Sequence, residues 1–450
     1  MGRLFGTDGV RGVANKELTP DLAFRLGYAG AMVLAVNANR KPKILIGMDT
    51  RISCKMLEAA LIGGICSAGA DVIKCGVIPT PAVAYLTKKY KCDAGVMISA
   101  SHNSFEYNGI KFFSGNGFKL SDEIEDEIEK RVTDYDVFSK NRVVGEDVGT
   151  VYEKNVAAHD YIEHLKRRMS VDLSGMRIAI DCANGASYDI ASELFEDLGA
   201  VVVVIGNYPN GVNINKDCGS THMEKLQELV VREKCDLGLA FDGDADRLLA
   251  VDGFGKMVDG DIIMSVIAND MMAFGELKSN TVVATVMSNL GLDIMAEKNG
   301  IHIEKTKVGD RYVLENMIEN GFNIGGEQSG HVILLDHATT GDGMLTALAL
   351  LKALKRKNQT LDKAGEIIHI LPQVLLSAKV QNEDKAAAMA LPELLSAIQK
   401  YESELAGKGR ILVRASGTEP IIRVMIEGEN KEQIALMAGD LVGIIQRHFS

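Results

Sequence analysis

Three aspartates spaced two residues apart form the segment of this sequence with the clearest chemical meaning. Asp242, Asp244 and Asp246 occur in DGDADR, between the apolar segments LGLAF and LLAVD. In an extended chain, residues two apart point to the same side, so the three carboxylates can converge on one hard cation. Carboxylates that leave room for water and phosphate oxygens suit Mg²⁺. A solvated acidic turn is the alternative, whereas a calcium EF-hand is excluded because Arg247 and Gly253 replace its glycine and its closing glutamate.

A second polar segment, SASHN, follows the apolar residues GVMI at 95–98. Ser101 and His102 are adjacent, so an extended chain directs them to opposite faces, and the sequence has no G-x-S-x-G elbow. A serine hydrolase is therefore excluded. A serine can instead carry a phosphoryl group when a metal ion and cations hold its charge. Ser99 and Ser101 share one face, so spacing does not choose between them, and hydroxyls that merely cap a turn are the alternative for this loop.

Two further loops carry groups suited to a sugar phosphate. GGEQSGH places a carboxylate, a hydroxyl and an imidazole two residues apart between glycines, which suits contacts with adjacent sugar hydroxyls. RASGTEPIIR combines guanidinium donors, hydroxyls and a glycine amide, which is typical of a phosphate cradle. The residues concerned are Glu327, Ser329 and His331 in the first loop, and Arg414, Ser416, Gly417, Thr418 and Arg423 in the second. Each loop alone is a weak signal, because polar glycine-rich turns are common.

The segments between these loops alternate as they do in α/β domains. Apolar strands and helical patterns follow one another in three copies, beginning near residues 43, 177 and 281, and each copy's last strand leads into one polar loop. Ligands of open α/β sheets bind beyond the carboxyl ends of the strands. The prediction is an α/β fold of four domains around a central cleft: three βαβ-repeat domains with mixed or parallel sheets, and a smaller C-terminal α+β domain. The expected boundaries are 1–154, 155–254, 255–371 and 372–450.

The composition limits the possible partners and compartment. The 450 residues carry a net charge of −12, and the basic clusters are short, so no nucleic-acid partner is expected. No stretch approaches the roughly 18 consecutive apolar residues of a membrane helix, so no membrane partner is expected. The seven cysteines are scattered without a C-x-x-C pair, which favours the cytoplasm over an oxidising compartment and disfavours a zinc site.

Taken in order, the four loops and the opening FGTDGVRG at residues 5–12 resemble the α-D-phosphohexomutase superfamily along the whole chain. The resemblance implies that Ser101 is a phosphoserine and that one Mg²⁺ per chain is bound by Ser101, Asp242, Asp244 and Asp246. It also implies that Glu327 and Ser329 contact sugar hydroxyls. The non-reacting phosphate would lie against Arg414, Ser416, Gly417, Thr418 and Arg423.

The resemblance further places basic residues around the reacting phosphoryl group. These residues are Arg11, Lys111, Arg247 and His331. Lys111 is the expected general base, a role that needs a lowered pKa. Two positions depart from the superfamily pattern: Ser104 replaces a proline, and Ala245 replaces a glycine. The first change removes proline's fixed φ from the serine loop, and the second matters if residue 245 has a positive φ.

The implied reaction interconverts glucosamine 6-phosphate and glucosamine 1-phosphate, with a hexosamine 1,6-bisphosphate as the activating intermediate. Its product would supply UDP-N-acetylglucosamine for cell-wall synthesis, and the resemblance makes a homodimer possible. The alternative within the superfamily is a mutase for glucose or mannose phosphates. Two alternatives come from other classes: a phosphatase with an aspartyl nucleophile, and a sugar-phosphate sensor without activity.

Overall fold

The computed structural model describes residues 3–6, 8–34, 40–416 and 419–449. The chain divides into two compact units. The first contains Met1–Met287 and Ile301–Ile367, and the second contains Ser288–Gly300 and Ile368–Ser450. None of the helices within the described ranges has the length and apolar composition needed to span a membrane.

The first domain of the first unit is built around a six-stranded sheet. Its strands are β1 (Val10–Val13), β2 (Lys43–Met48), β3 (Asp71–Val77), β4 (Ala94–Ile98), β5 (Tyr107–Ser114) and β6 (Val151–Glu153). Its helices are α1 (Pro20–Leu34), α2 (Cys54–Ser67), α3 (Thr80–Lys89), α4 (Asp122–Thr133) and α5 (Tyr135–Phe138). The order is β1-β5-β4-β2-β3-β6, with β5 antiparallel to both of its neighbours and the other pairs parallel. All residues of β4 are buried, as expected for a central strand of a sheet covered by helices.

The second domain contains a five-stranded sheet in which parallel strands continue into an antiparallel edge. Its strands are β7 (Arg177–Asp181), β8 (Val201–Ile205), β9 (Leu237–Phe241), β10 (Leu248–Asp252) and β11 (Met257–Val258). Its helices are α6 (Ala157–Arg168), α7 (Ile190–Asp197) and α8 (Glu224–Glu233). The order is β11-β10-β9-β7-β8, and β9, which leads into DGDADR, is buried throughout.

The third domain contains a four-stranded sheet. Its strands are β12 (Thr281–Thr285), β13 (His302–Thr306), β14 (Ile324–Gly326) and β15 (Val332–Leu334), in the order β13-β12-β14-β15. The helices of this part of the chain are α9 (Gly260–Ala273), α10 (Leu290–Lys298), α11 (Asp310–Asn320), α12 (Gly343–Lys357) and α13 (Leu361–Gly365). α12 begins after Asp342, whose carboxylate accepts a hydrogen bond from Leu345 N at 2.9 Å.

The second unit combines a small antiparallel sheet with helices. Its strands are β16 (Gln373–Lys379), β17 (Gly409–Ala415) and β18 (Ile421–Gly428), in the order β16-β18-β17. Its helices are α10 and the later helices α14 (Lys385–Met389), α15 (Pro392–Leu405) and α16 (Lys431–Phe449). The buried carboxylate of Glu427 joins α10 to the sheet, since it accepts hydrogen bonds from Leu290 N at 2.9 Å and from Arg410 Nε at 2.6 Å.

The predicted fold class is confirmed: three α/β domains with mixed sheets precede a smaller C-terminal α+β domain. β4, β9 and β14 end directly before the serine, metal and sugar loops, that is, SASHN, DGDADR and EQSGH. The three polar loops therefore leave the carboxyl ends of their strands, the edge at which α/β sheets bind ligands.

Candidate active site

The serine loop begins where β4 ends and directs one of its two serines toward the metal loop. Ser101 Oγ donates a hydrogen bond to Asp242 Oδ2 at 2.6 Å and lies 3.4 Å from His102 Nδ1. Ser99 Oγ donates instead to Asp49 Oδ2 at 2.7 Å and accepts from Ser101 N at 2.9 Å. Ser99 Oγ is therefore occupied by Asp49 and by the backbone of its own loop, while the Ser101 hydroxyl faces the aspartates.

Arg51 holds the serine loop through hydrogen bonds to its backbone, a role that the sequence analysis missed. Its Nη atoms donate to the backbone oxygens of Ser101, Asn103 and Tyr107 at 2.8–3.1 Å, and also to that of Ser104. Its Nε donates to Asp49 Oδ2 at 2.8 Å, and both side chains are 0% exposed. The segment MDTR, which supplies this pair, follows β2 at the same sheet edge as SASHN, and that position was the available signal.

A glycine allows the metal loop to approach the serine loop closely. A Cβ on Gly243 would lie 2.5 Å from the backbone oxygen of Ser101, so no larger residue fits there without displacing the backbone. Ser101 itself has φ 51°, and Ala245 has φ 56°. The left-handed conformation costs a residue other than glycine about 1–2 kcal/mol, so the alanine in place of the superfamily's glycine is strained.

The three aspartates of the metal loop form a buried acidic cluster. Oxygen atoms of Asp242, Asp244 and Asp246 all lie within 4.8 Å of one another. Within the described residues, Asp244 Oδ1 and Asp246 Oδ1 are buried without a hydrogen-bond partner. Burial, together with the neighbouring carboxylates, raises the pKa of Asp242 well above its ordinary value. Carboxylate oxygens that repel one another and lack hydrogen-bond partners can serve as ligands of a Mg²⁺ ion, which would also neutralise their charge. These residues therefore fit the metal.

A chain of ion pairs extends from the metal loop into the first domain. Lys111 Nζ lies 2.9 Å from Asp244 Oδ2 and 2.8 Å from Asp8 Oδ2, and Asp8 also pairs with Arg11. Burial lowers the pKa of Lys111, but the carboxylates of Asp244 and Asp8 outweigh burial and hold it above its ordinary value. The lowered pKa expected of a general base is therefore not present in this arrangement.

Asp8 connects this network of ion pairs to the third domain. Lys119 Nζ lies 2.8 Å from Asp8 Oδ1 and also pairs with Asp310 at the start of α11. Sequence analysis missed Asp8, Lys119 and Asp310, because pairs that are more than a hundred residues apart leave no local pattern. Asp8 does lie within FGTDGVRG, the segment that resembles the start of the superfamily's proteins, but the resemblance gave it no role.

The sugar loop lies beside this network. Glu327 Oε1 accepts a hydrogen bond from Gly309 N at 3.1 Å, and Ser329 Oγ donates to Glu327 Oε2 at 3.3 Å. His331 is buried between two carboxylates, with Nδ1 3.5 Å from Asp246 Oδ2 and Nε2 3.5 Å from Asp310 Oδ2. Burial lowers the pKa of His331, but Asp246 and then Asp310 raise it to about 9.

Two guanidinium groups near the aspartates have unused donors. The Nε atoms of Arg11 and Arg247 are buried without a hydrogen-bond partner within the described residues. Arg247 Nε lies 3.9 Å from Asp246 Oδ1, and its side chain is 23% exposed. Guanidinium groups that keep an unused donor suit a phosphate, since Arg binds phosphate oxygens through paired donors.

The loop predicted to bind a phosphate belongs to the second unit. Arg414 on β17 is paired in register with Arg423 on β18, and burial, followed by repulsion from Arg423, lowers the pKa of Arg414. Lys385 Nζ donates to the backbone oxygens of Ser416 and Glu419 at 2.5 and 2.6 Å and so fixes both ends of the loop. The predicted ligands Gly417 and Thr418 lie outside the described residues.

Comparison with protein families gives consistent matches along the chain. Models described as phosphoglucomutase/phosphomannomutase match residues 2–137 as alpha/beta/alpha domain I, 159–255 as domain II and 259–369 as domain III. The model of the C-terminal domain matches residues 375–444. Together these ranges cover most of both units.

Solved structures share this fold at low sequence identity. A phosphoglucomutase/phosphomannomutase family protein from Burkholderia thailandensis is 23% identical, with a TM-score of 0.79 over 99% of this chain and 97% of that chain. An Aspergillus fumigatus N-acetylphosphoglucosamine mutase, solved with GlcNAc-6P and magnesium, is 18% identical, with a TM-score of 0.71 over 99% and 96% of the two chains. At these identities the likeness establishes the fold.

Relatives that match this chain over its full length identify the family within this group. Phosphoglucosamine mutase from Clostridium acetobutylicum is 56% identical over 447 residues, which is 99% of each chain. Phosphoglucosamine mutase from Acetivibrio thermocellus is 55% identical over 449 residues, again 99% of each chain. The chain therefore belongs to the phosphoglucosamine mutase family, within the group of phosphoglucomutase and phosphomannomutase proteins.

Proposed function

We propose that this protein interconverts glucosamine 6-phosphate and glucosamine 1-phosphate through a phosphoserine at Ser101 and a glucosamine 1,6-bisphosphate intermediate. The observation that carries the proposal is the 2.6 Å hydrogen bond between Ser101 Oγ and Asp242 Oδ2. It joins the only serine hydroxyl that faces the metal loop, among the two in SASHN, to the acidic cluster. The names of the relatives supply the amino sugar.

Mg²⁺ is the proposed cofactor, held by Asp242, Asp244, Asp246 and an oxygen on Ser101. When bound, it would offset part of the negative charge that a phosphoserine and a substrate phosphate bring, about −1.5 to −2 each. Arg11 and Arg247 would offset more of that charge with their guanidinium groups, whose Nε atoms have no hydrogen-bond partner among the described residues. Such positioning and charge stabilisation is the main source of catalysis in phosphoryl transfer.

The proposed reaction has two transfers. In the first, the bond between phosphorus and Ser101 Oγ breaks, and a bond to a sugar hydroxyl oxygen forms, which gives the 1,6-bisphosphate. The released Ser101 Oγ takes up a proton. In the second transfer, after the bisphosphate has turned around, the bond between its other phosphorus and the sugar oxygen breaks and a bond to Ser101 Oγ forms, while the Ser101 hydroxyl loses its proton and the released sugar oxygen gains one. Lys111 is the proposed acceptor of the hydroxyl proton. This role requires Asp244 and Asp8 to loosen their contacts with Lys111 when substrate binds, because these carboxylates raise its pKa.

The remaining assignments follow from this scheme. Glu327 and Ser329 are the proposed contacts of the sugar hydroxyls, and His331 is proposed to lie near the reacting phosphoryl group. Arg414, Ser416, Gly417, Thr418 and Arg423 are the proposed contacts of the other phosphate. We also propose that the expected domain boundaries hold, that the enzyme works in the cytoplasm as a possible homodimer, and that its product enters UDP-N-acetylglucosamine synthesis.

The test is conversion of glucosamine 6-phosphate with Mg²⁺ and a trace of glucosamine 1,6-bisphosphate. Ser101→Ala should abolish conversion, and Ser104→Ala, in the same loop, should retain it because Arg51 contacts only the backbone oxygen of Ser104. Full activity of Ser101→Ala together with release of free phosphate would instead support an aspartyl phosphatase. Wild-type protein that binds sugar phosphate without converting it would support a sensor.

Substrate competition tests the amino sugar. We expect kcat/KM for glucosamine 6-phosphate to exceed that for glucose 6-phosphate by about tenfold or more, equivalent to about 1.4 kcal/mol. Equal values would keep the phosphoserine chemistry and identify a general hexose-phosphate mutase.

A further inference from the structure

The substrate proposed above differs from glucose 6-phosphate in one group, the amine on C2. Such an amine is largely protonated at and below neutral pH, whereas the hydroxyl of glucose is neutral. A carboxylate facing C2 would therefore distinguish the two sugars, because it attracts the charged ammonium as an ion pair in addition to accepting its hydrogen bond, whereas the hydroxyl of glucose offers only the hydrogen bond. The question is which carboxylate of the site is available for this contact.

Most carboxylates near the site are already committed. The aspartates of the metal loop form the proposed cation site. Asp8 is surrounded by three cations, namely Arg11, Lys111 and Lys119. Both oxygens of Glu327 accept hydrogen bonds, one from Gly309 N and one from Ser329 Oγ.

Asp310 is the exception. Its Oδ2 atom takes both of its ionic contacts, with Lys119 and with His331 Nε2 at 3.5 Å. Its Oδ1 atom makes no hydrogen bond within the described part of the chain, and the side chain is 17% exposed. One oxygen thus fixes the carboxylate in place, and the other remains available to a ligand.

Asp310 lies beside both the sugar loop and the metal loop. It is the first residue of α11, directly after Gly309, whose N–H binds the Glu327 carboxylate, so it adjoins the sugar loop. Through His331 it also adjoins Asp246 of the metal loop. In a hexose, C2 adjoins C1, so in the orientation that brings C1 to Ser101 the C2 substituent lies near the metal loop and its neighbours.

We propose that Asp310 determines specificity by accepting a hydrogen bond through Oδ1 from the C2 ammonium of the sugar phosphate when C1 faces Ser101. This inference rests on the proposed function and assigns the group that selects an amino sugar over a neutral hexose. Lys119 and His331 hold the carboxylate in the orientation that the contact needs.

The test compares wild type, Asp310→Asn and the matched control Glu315→Gln, which removes a carboxylate from the same helix at a side chain that is 51% exposed. kcat/KM is measured for glucosamine 6-phosphate and glucose 6-phosphate. The ratio of the two values should fall about tenfold or more in Asp310→Asn, equivalent to about 1.4 kcal/mol, and should stay unchanged in Glu315→Gln. Equal losses on both sugars would overturn the proposal, because they would show that Asp310 only orients Lys119 and His331.

Binding provides a second measurement that does not depend on turnover. In the Ser101→Ala background, adding Asp310→Asn should weaken the affinity for glucosamine 6-phosphate about tenfold more than that for glucose 6-phosphate, as measured by calorimetry. An unchanged ratio of affinities would overturn the inference. Failure of wild type to convert glucosamine 6-phosphate would contradict the proposed function, whereas an amino-sugar preference that survives Asp310→Asn would contradict this inference alone.

Discussion

The guanidinium of Arg51 is enclosed by backbone oxygens of the serine loop and by the carboxylate of Asp49. Removing one partner of a buried ion pair leaves the other charge unpaired, which costs about 3–5 kcal/mol. Arg51→Ala should therefore lower the free energy of unfolding by about that amount, measured by denaturant titration. Arg447→Ala removes an exposed pair with Glu393 and should change it by about 0–1 kcal/mol.

A conservative variant separates the loop's position from overall stability. Arg51→Lys keeps the charge beside Asp49 but lacks the forked donors that reach four backbone oxygens. If Arg51 positions Ser101, this variant should lose kcat far more than affinity for the sugar phosphate. An unchanged kcat in Arg51→Lys would contradict the role assigned to Arg51. So would a loss of stability in Arg51→Ala that is no larger than the loss in Arg447→Ala.

At the scale of elements, the start of α12 predicts a pH dependence of stability. The Asp342 carboxylate caps this helix through Leu345 N and accepts from Tyr161 Oη at 2.8 Å, and burial raises the pKa of Asp342 to about 6. An unfolded aspartate has a pKa of about 3.9, so the native state binds this proton more tightly. The stabilisation is complete below about pH 4 and is lost as the pH rises through about 6.

Asp342→Asn keeps a cap oxygen and removes the titrating group. As the pH rises from 4 to 7.5, wild type should lose up to about 3 kcal/mol of its free energy of unfolding relative to the variant, because one pKa unit corresponds to about 1.36 kcal/mol. Thermal or denaturant unfolding across this range measures the difference. Glu315→Gln serves as the control, and parallel curves for Asp342→Asn and wild type would show that the carboxyl does not titrate as described.

The sequence predicted elements better than it predicted contacts. β4, β9 and β14 were foreseen because apolar runs followed by polar loops report strand ends, and the loops carry the proposed ligands themselves. Arg51 and Asp310 were not foreseen, because each contacts a residue far away in the chain, namely Ser101, 50 residues from Arg51, and Lys119, 191 residues from Asp310, and neither belongs to a periodic pattern. The pKa of Lys111 was expected to be low because the role of general base needs a lowered pKa; burial does lower it, but Asp244 and Asp8 outweigh burial and raise it.

At the scale of the whole molecule, the proposed mechanism assigns the two phosphates of the intermediate to different units. Ser101 belongs to the first unit, and Arg414 and Arg423 belong to the second. The variant that combines Arg414→Ala with Arg423→Ala should therefore raise KM for glucosamine 6-phosphate by about tenfold or more, equivalent to about 1.4 kcal/mol, because the forked donors proposed to bind its phosphate are lost. Steady-state kinetics measures this change. An unchanged KM would contradict the assignment of that phosphate to the second unit.

The placement of α10 in the second unit has a consequence for biosynthesis. Leu290 N is bound by the Glu427 carboxylate, 137 residues later in the chain. At a synthesis rate of about 5–20 residues per second, the ribosome delivers α10 on the order of ten seconds before its partner exists. During that interval the nascent second unit is necessarily incomplete, and no single cleavage of the finished chain could separate the two units intact.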